Sequence, residues 1–316
     1  MSELGEQTSL QLPILDVSQP LDNLSLSSLA QGCKKWGFFF ITNHGVSKDL
    51  YDRISLLSKQ AFSLPSETKL QLSPISYVPH FIASPFFESF RISGPDFFDS
   101  ARSSADTLFD HQSHDFSALM QEYCNKMTEL SKKITEILLM CLGEGFNSKF
   151  LESEFKNCHG YLRIINYSPP EILENDVEGL GMHTDISCLT VLYPDKIGQL
   201  QVKSTEGNWT VVNFREDAMV VNIGDMLQAW SNDELRSSEH RVVLNQPLNR
   251  FSLAFFWCFE DDKVISAPDE VVGSELLGNR RVYKPFLCKE YTRFRETREK
   301  GKFEKIGYTV KDFAKS

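Results

Sequence analysis

Arg250-Phe251-Ser252-Leu253-Ala254-Phe255-Phe256-Trp257-Cys258 has the pattern of a strand with two unlike faces. Side chains alternate across a strand, so Arg250, Ser252, Ala254, Phe256 and Cys258 share one side, and Phe251, Leu253, Phe255 and Trp257 share the other. The second face is plain core. The first begins with a guanidinium and a hydroxyl and then narrows to small or apolar residues. Polar groups pointing inwards at the end of an apolar strand need a partner, because a buried unpaired charge is very costly. An Arg with a Ser two places on suits a carboxylate, held by paired, charge-assisted hydrogen bonds.

Upstream, short apolar runs at 188–193, 199–202, 209–212, 218–223 and 239–244 are separated by turn residues such as Glu206-Gly207-Asn208 and Ser231-Asn232-Asp233. Residues 160–167 make another such run, stopped by Ser168-Pro169-Pro170. Many short strands in one block point to a sandwich, barrel or jelly roll. Earlier, 12–17 reads as a short strand, 24–36 as a helix ended by Gly37, and 38–41 as a buried strand. Ser47 caps a second helix that Pro65 stops. The longest helical pattern is 115–142, and a closing helix spans about 285–300. The fold class is α+β, with helices first and an all-β block after them. Residues 73–110 are rich in Phe, Pro, Gly and Ser without clear periodicity. They read as a long loop, either packed over the core or walling a pocket. Tyr77, Phe81, Phe86, Phe87, Leu189 and Phe256 are the candidate wall residues.

Three further residues sharpen the site. His183 and Asp185, in Gly181-Met182-His183-Thr184-Asp185, are two apart, so on a strand an imidazole and a carboxylate emerge side by side. His240 lies downstream, just ahead of Arg250. Two histidines and one carboxylate with open positions are the ligand set of a non-haem Fe(II) oxygenase. His-x-Asp alone is a weak pattern, since a lone strand histidine is more often structural. The bland reading requires His183, Asp185, His240, Arg250 and Ser252 all to be coincidental. His44, in the turn Asn43-His44-Gly45, reads as structural.

Composition narrows the class. A length of 316 residues with 41% hydrophobic and 24% charged residues is that of a globular protein with a sizeable core. A net charge of −10 argues against nucleic acid or an anionic membrane as partner. The locally basic stretch 289–305 reads as a solvated helix face. Residues 1–14 lack a basic n-region and a long apolar run, so a secretory leader is not expected. Seven scattered cysteines without a Cys-x-x-Cys pair fit a reducing compartment, the cytoplasm by default.

Several segments together resemble the plant 2-oxoglutarate- and Fe(II)-dependent dioxygenases over nearly the whole chain. They are Leu12-Pro13-Ile14-Leu15-Asp16, the run from Trp36 to Val46, Asn166-Tyr167-Ser168-Pro169-Pro170, His183-Thr184-Asp185, Asn222-Ile223-Gly224-Asp225, Ser237-Ser238-Glu239-His240-Arg241-Val242 and Arg250-Phe251-Ser252. The gibberellin-oxidase-like and flavonoid-oxygenase branch is the nearest in pattern. The resemblance implies a double-stranded β-helix, or jelly-roll, core at about 157–260. It implies a cap over 1–110 and a unit of 111–316 holding the long helix, the core and a C-terminal helix. It implies His183, Asp185 and His240 as iron ligands, and Arg250 and Ser252 on the distal carboxylate of 2-oxoglutarate. Asn166 and Tyr167 would lie beside that co-substrate. The cofactors implied are Fe(II), 2-oxoglutarate and O₂, with ascorbate as an auxiliary reductant, and the partner is a small, largely apolar metabolite. Three departures stand out. Ser168 replaces the second tyrosine usual before the proline, so that a contact is either lost or taken over by water or Tyr167; Gly198-Gln199 replaces the usual pair of glycines, which bears on a loop near the substrate; and Arg163 sits one place before the family's basic residue, so its role is not transferred. The rival readings are an ascorbate-dependent oxidase of the 1-aminocyclopropane-1-carboxylate oxidase type and a non-catalytic binding protein on the same fold. The oligomeric state is left open.

Overall fold

Asp22, Ser47 and Asp96 each accept a backbone N–H from the residue three positions on, at 2.7, 3.2 and 2.9 Å, and each starts a helix. The computed structural model describes residues 10–79, 84–109, 113–173, 175–194, 196–197, 199–273, 280–296 and 308–316. The first half comprises β1 (Ile14–Asp16), α1 (Asn23–Lys35), β2 (Phe38–Thr42), α2 (Lys48–Phe62), α3 (Ser66–Lys69), β3 (Tyr77–Val78), β4 (Phe87–Ser93), α4 (Phe97–Leu108), α5 (Ser113–Leu142) and α6 (Phe146–Glu154). The strand block follows: β5 (His159–Tyr167), β6 (Val177–His183), β7 (Leu189–Tyr193), β8 (Gln199–Lys203), β9 (Trp209–Val212) and β10 (Ala218–Ile223). Then come α7 (Asp225–Trp230), β11 (His240–Leu244), β12 (Arg250–Cys258), β13 (Val264–Ile265), α8 (Asp269–Val272), β14 (Phe286–Leu287), α9 (Cys288–Glu296) and α10 (Val310–Ala314).

Eight strands form the major sheet in the order β1-β2-β10-β7-β12-β5-β4-β3, and four form the minor sheet in the order β6-β11-β8-β9. Alternation gives the major sheet two buried faces. Phe39, Ile41, Phe90, Ile92, Leu162, Ile164, Val191, Leu253, Phe255 and Trp257 pack against the helices, chiefly the 30-residue α5. Phe38, Phe40, Phe87, Ile165, Tyr167, Val220 and Ala254 point the other way and meet Leu180, Leu200, Val202, Val242 and Leu244 of the minor sheet. This is the expected jelly-roll sandwich with helices on one outer face. Gly37 links α1 to β2 at φ +63, and a Cβ there would lie 1.9 Å from the carbonyl oxygen of Arg236, so only glycine fits.

Two expectations need correcting. The 73–110 stretch is not one long loop: 87–93 is a strand of the major sheet and 97–108 a helix packed on α5. Within the first 110 residues, β1 to β4 are strands of the same sheet that carries β5, β7, β10 and β12. Among the described residues of the basic C-terminal stretch, Arg295 is not solvated; it is 1% exposed and reaches inwards. The part of the closing helix expected beyond 296 lies outside the described residues.

Candidate active site

β6 ends at His183 and β11 begins at His240, and the two residues are cross-strand partners. That register sets the imidazoles side by side, with ring centroids 4.2 Å apart. Asp185 lies two residues past the end of β6, and its Oδ1 is 3.7 Å from Nε2 of His183 and 3.8 Å from Nε2 of His240. One ligand atom from each of the three falls within 4.8 Å of the others, and all three residues are buried. Nδ1 of His183 is 2.7 Å from the carbonyl of Gly181, and Nδ1 of His240 is 3.1 Å from that of Ser238. A carbonyl only accepts, so both Nδ1 atoms carry the proton and both Nε2 lone pairs face Asp185.

Burial, followed by the neighbouring His240, pushes His183 down to about 3, so its imidazole is neutral at physiological pH. The 3.7 Å between His183 and Asp185 is therefore a contact of a neutral imidazole with a carboxylate rather than an ion pair. Burial works to raise Asp185, but the two imidazoles and hydrogen bonds from Thr190 and Asn222 outweigh it and hold the carboxyl below its ordinary value. Those bonds, at 2.6 and 2.7 Å, both end on Oδ2 and leave Oδ1 to the histidines.

Thr184, between His183 and Asp185, is clamped from the far end of the chain. Arg295 of α9 donates to the Thr184 carbonyl at 2.7 Å, to its hydroxyl at 3.1 Å and to Asp225 Oδ2 at 2.5 Å. The Thr184 hydroxyl donates to the same Asp225 oxygen at 2.8 Å, and the Tyr291 hydroxyl also reaches it. Gly224 lets α7 approach this loop, since a Cβ there would stand 2.0 Å from the Ser187 carbonyl oxygen.

A cavity of about 140 Å³ opens beside the triad. Phe87, Ile165, Leu180, Ile186 and Phe256 form its apolar wall, and Tyr161, Arg91 and Arg163 complete it. The ladder between β5 and β12 orders these groups: Arg250 opposite Tyr167, Ser252 opposite Ile165, Ala254 opposite Arg163, Phe256 opposite Tyr161. Arg250 is 2% exposed, and its guanidinium lies 4.9 Å from the Tyr167 ring. Arg250 Nε and Ser252 Oγ are buried without a hydrogen-bond partner. Buried orphans of this kind, a cation and a hydroxyl side by side, fit an acidic ligand.

Of the expected wall residues, Phe87 and Phe256 line the cavity. Leu189 does not: it is fully buried on the helix-facing side of β7. Tyr77 also faces the helices, where its hydroxyl donates to Glu88 at 2.7 Å. Phe86 is half-buried at the edge of the inter-sheet core, outside the cavity lining. Phe81 lies outside the described residues. Asn166 departs from its expected place. The pairing of Tyr167 with Arg250 puts Asn166 on the opposite face, where it donates to Glu88 at 3.1 Å and to Ser168 at 3.0 Å. Tyr167, not the residue at 168, is the aromatic group over Arg250, so the substitution at Ser168 does not empty that position. The same alternation brings Arg163 inside. Counting in twos back from Tyr167 finds Ile165, Arg163 and Tyr161; counting from the Asn-Tyr-Ser-Pro motif does not.

Residues 160–259 match the model of the 2OG-Fe(II) oxygenase superfamily, and residues 12–107 match that of the N-terminal region of the non-haem dioxygenase in morphine synthesis. A gibberellin 20-oxidase-like protein of Arabidopsis thaliana is 51% identical, over 97% of this chain and 98% of its own. The chain belongs to the 2OG-Fe(II) oxygenase superfamily. Two solved structures extend the likeness to the fold of this oxygenase. The rice dioxygenase for auxin oxidation has a TM-score of 0.79 at 26% identity, covering 96% of this chain and 100% of that one. JOX2, solved with 2OG, Fe and JA, has a TM-score of 0.78 at 26% identity, covering 98% of this chain and 90% of that one. The chain is thus a plant-type dioxygenase dependent on Fe(II) and 2-oxoglutarate, acting on metabolites.

Proposed function

We propose that His183, Asp185 and His240 hold the Fe(II), that Arg250 and Ser252 bind the distal carboxylate of 2-oxoglutarate, and that the substrate is a small plant metabolite with an apolar body. The observation that carries this reading is the pairing of the convergent triad with the orphaned Arg250 Nε and Ser252 Oγ across the sandwich. Fe(II) with 2-oxoglutarate and O₂ supplies the oxidising power for C–H hydroxylation or desaturation, with succinate and CO₂ as co-products.

The residues divide the remaining work. Backbone carbonyls fix both imidazoles in the tautomer that offers Nε2, and Thr190 with Asn222 turns one oxygen of Asp185 towards them. Arg250 sets which way a dicarboxylate lies, because its guanidinium takes one carboxylate by charge-assisted hydrogen bonds. Phe87, Ile165, Leu180 and Phe256 exclude water and give an apolar body its contact surface. Tyr167 covers the guanidinium and limits its motion.

The gibberellin 20-oxidase-like relative, identical at half of its positions, supports a hormone-like or phenolic small molecule as the class of substrate. The absence of disulfides among the seven cysteines supports a cytoplasmic location. The decisive assay incubates the protein with Fe(II) and 2-oxoglutarate in a metabolite extract, admits O₂ and follows succinate and consumed compounds by mass spectrometry. Succinate stoichiometric with oxidised product is expected. Turnover that needs ascorbate in place of 2-oxoglutarate would instead fit an oxidase of the 1-aminocyclopropane-1-carboxylate type, and His240→Ala with undiminished metal binding would refute the ligand assignment.

A further inference from the structure

The side-chain amide of Gln228, in α7, joins two segments far apart in sequence. Its Oε1 accepts from the backbone N–H of Ser237 at 2.5 Å, and its Nε2 donates to the Tyr283 hydroxyl at 2.8 Å. A backbone N–H only donates, so the amide oxygen has to face Ser237 and the amide nitrogen Tyr283. The Tyr283 hydroxyl therefore accepts from Gln228 and gives its own proton to Asp233 Oδ1 at 2.5 Å. Donation runs one way from Gln228 through Tyr283 to a carboxylate, and each link of such a chain polarises the next. Gln228 is 3% exposed and Tyr283 5%, so water competes little for these bonds. Asn232 ties the same segments again, donating to the Arg280 carbonyl at 3.1 Å and accepting from the Val282 N–H at 2.8 Å. Ser237 lies on the approach to His240. Ser238 comes next, and its carbonyl accepts the Nδ1 proton of His240 at 3.1 Å. The corner between α1 and β2 pins the flanking residues: the Cys33 carbonyl accepts from Arg236 N–H at 3.1 Å, and the Trp36 carbonyl from the Ser238 hydroxyl at 2.7 Å. Gln228 supplies the pin on 236–238 that comes from α7.

We propose that Gln228, held in turn by Tyr283, is a positioning residue for His240. It fixes the backbone whose carbonyl keeps the proton on Nδ1 and leaves Nε2 free for the metal. The inference rests on the reading of His240 as a metal ligand. In this scheme the segment 280–296 acts on the metal centre at two separate points. Arg295 holds the Thr184 carbonyl between His183 and Asp185, and Tyr283 works through Gln228 on Ser237, ahead of His240. Losing a group that orients a metal ligand lowers affinity about 10–100-fold. Gln228 acts through the backbone rather than on the imidazole itself, so about tenfold, the lower end of that range, is expected.

The test titrates the apo-protein with Co(II), whose visible absorption reports the ligands around it and needs no turnover. Gln228→Met keeps the length and the apolar stem of the side chain and removes both hydrogen bonds of the amide. It should weaken Co(II) binding about tenfold. Tyr283→Phe leaves the bond to Ser237 and removes only the group that holds the amide, so a smaller loss of the same kind is expected. Both changes are then repeated on His240→Ala, which should itself bind Co(II) less tightly than the wild type. On that background neither change should weaken binding further, because the group being positioned is gone. A merely structural role would lower affinity by the same factor with His240 or without it. If Gln228→Met does not fold, Tyr283→Phe carries the same cycle alone. Unchanged Co(II) affinity in the folded variant, or an equal loss on both backgrounds, overturns the positioning role and leaves the ligand reading intact. Undiminished Co(II) binding by His240→Ala removes the ligand reading and this inference together.

Discussion

Replacing Arg295 by Met keeps most of the side chain's volume and removes its charge from a wholly buried site. Arg295 is 1% exposed and Asp225 0%. The change removes donation to Asp225 and to both oxygens of Thr184. Asp225 keeps the Thr184 and Tyr291 hydroxyls but loses its cation. Breaking a buried pair from one side costs about 3–5 kcal/mol, because it strands the other charge. A domain of ordinary stability, about 5–15 kcal/mol, should stay folded with a much lower denaturation midpoint. The same change frees Thr184, the residue between His183 and Asp185, so metal affinity should fall about 10–100-fold, the usual effect of losing a group that orients a ligand. Removing both charges in Asp225→Asn/Arg295→Met should restore stability relative to the single variant, because no buried charge is left alone. Restoration of metal affinity is not expected, since the Thr184 carbonyl still lacks its donor. Urea denaturation and metal titration of the apo-protein give the two readouts. An Arg295→Met variant within about 0.5 kcal/mol of wild type, with unchanged metal affinity, would refute the clamp.

Arg250→Ala should raise KM for 2-oxoglutarate by about 10–100-fold, the loss expected for a charge-assisted pair of hydrogen bonds; steady-state kinetics with varied 2-oxoglutarate checks it. Asn166→Ala should cost about 1–3 kcal/mol by taking a donor from Glu88, with no effect on KM for 2-oxoglutarate, because its amide lies on the far face of β5. Leu189→Ala should destabilise by about 2–5 kcal/mol in thermal or urea unfolding while leaving the product of the reaction unchanged, since the side chain packs among the helices.

The triad and the Arg-x-Ser pair were legible because polar groups at fixed spacing on apolar strands are chemically conspicuous. β12 could be assigned face by face for the same reason. β4 was hidden, because both of its faces are buried: Phe87 and Arg91 meet the cavity while Phe90 and Ile92 meet the helices, so the usual alternation of polar and apolar residues is absent. α4 shows a helical stripe only in small residues such as Ala101, Ser104 and Ala105 beside Phe97 and Leu108. Asn166 was misplaced because the motif fixes residue types, whereas the face is fixed by which residue pairs with Arg250. Arg295 carried no local signal at all. Its partners Thr184 and Asp225 lie 111 and 70 positions away in sequence, and only the folded chain brings them together.

The two sheets divide the site between them. His183 and His240 belong to the minor sheet, and Arg250 and Ser252 to the major one. A dicarboxylate anchored at both is a further cross-tie between two walls that meet here through apolar contact and the hydrogen bonds of Thr190 and Asn222 to Asp185. Its binding should narrow the swing of the minor sheet and slow amide exchange in β6 and β11, with less effect on β5 and β12. On the proposed placement the co-substrate is a structural member of the sandwich, and its consumption in each turnover should loosen the walls, which the same exchange measurement with succinate in place of 2-oxoglutarate checks.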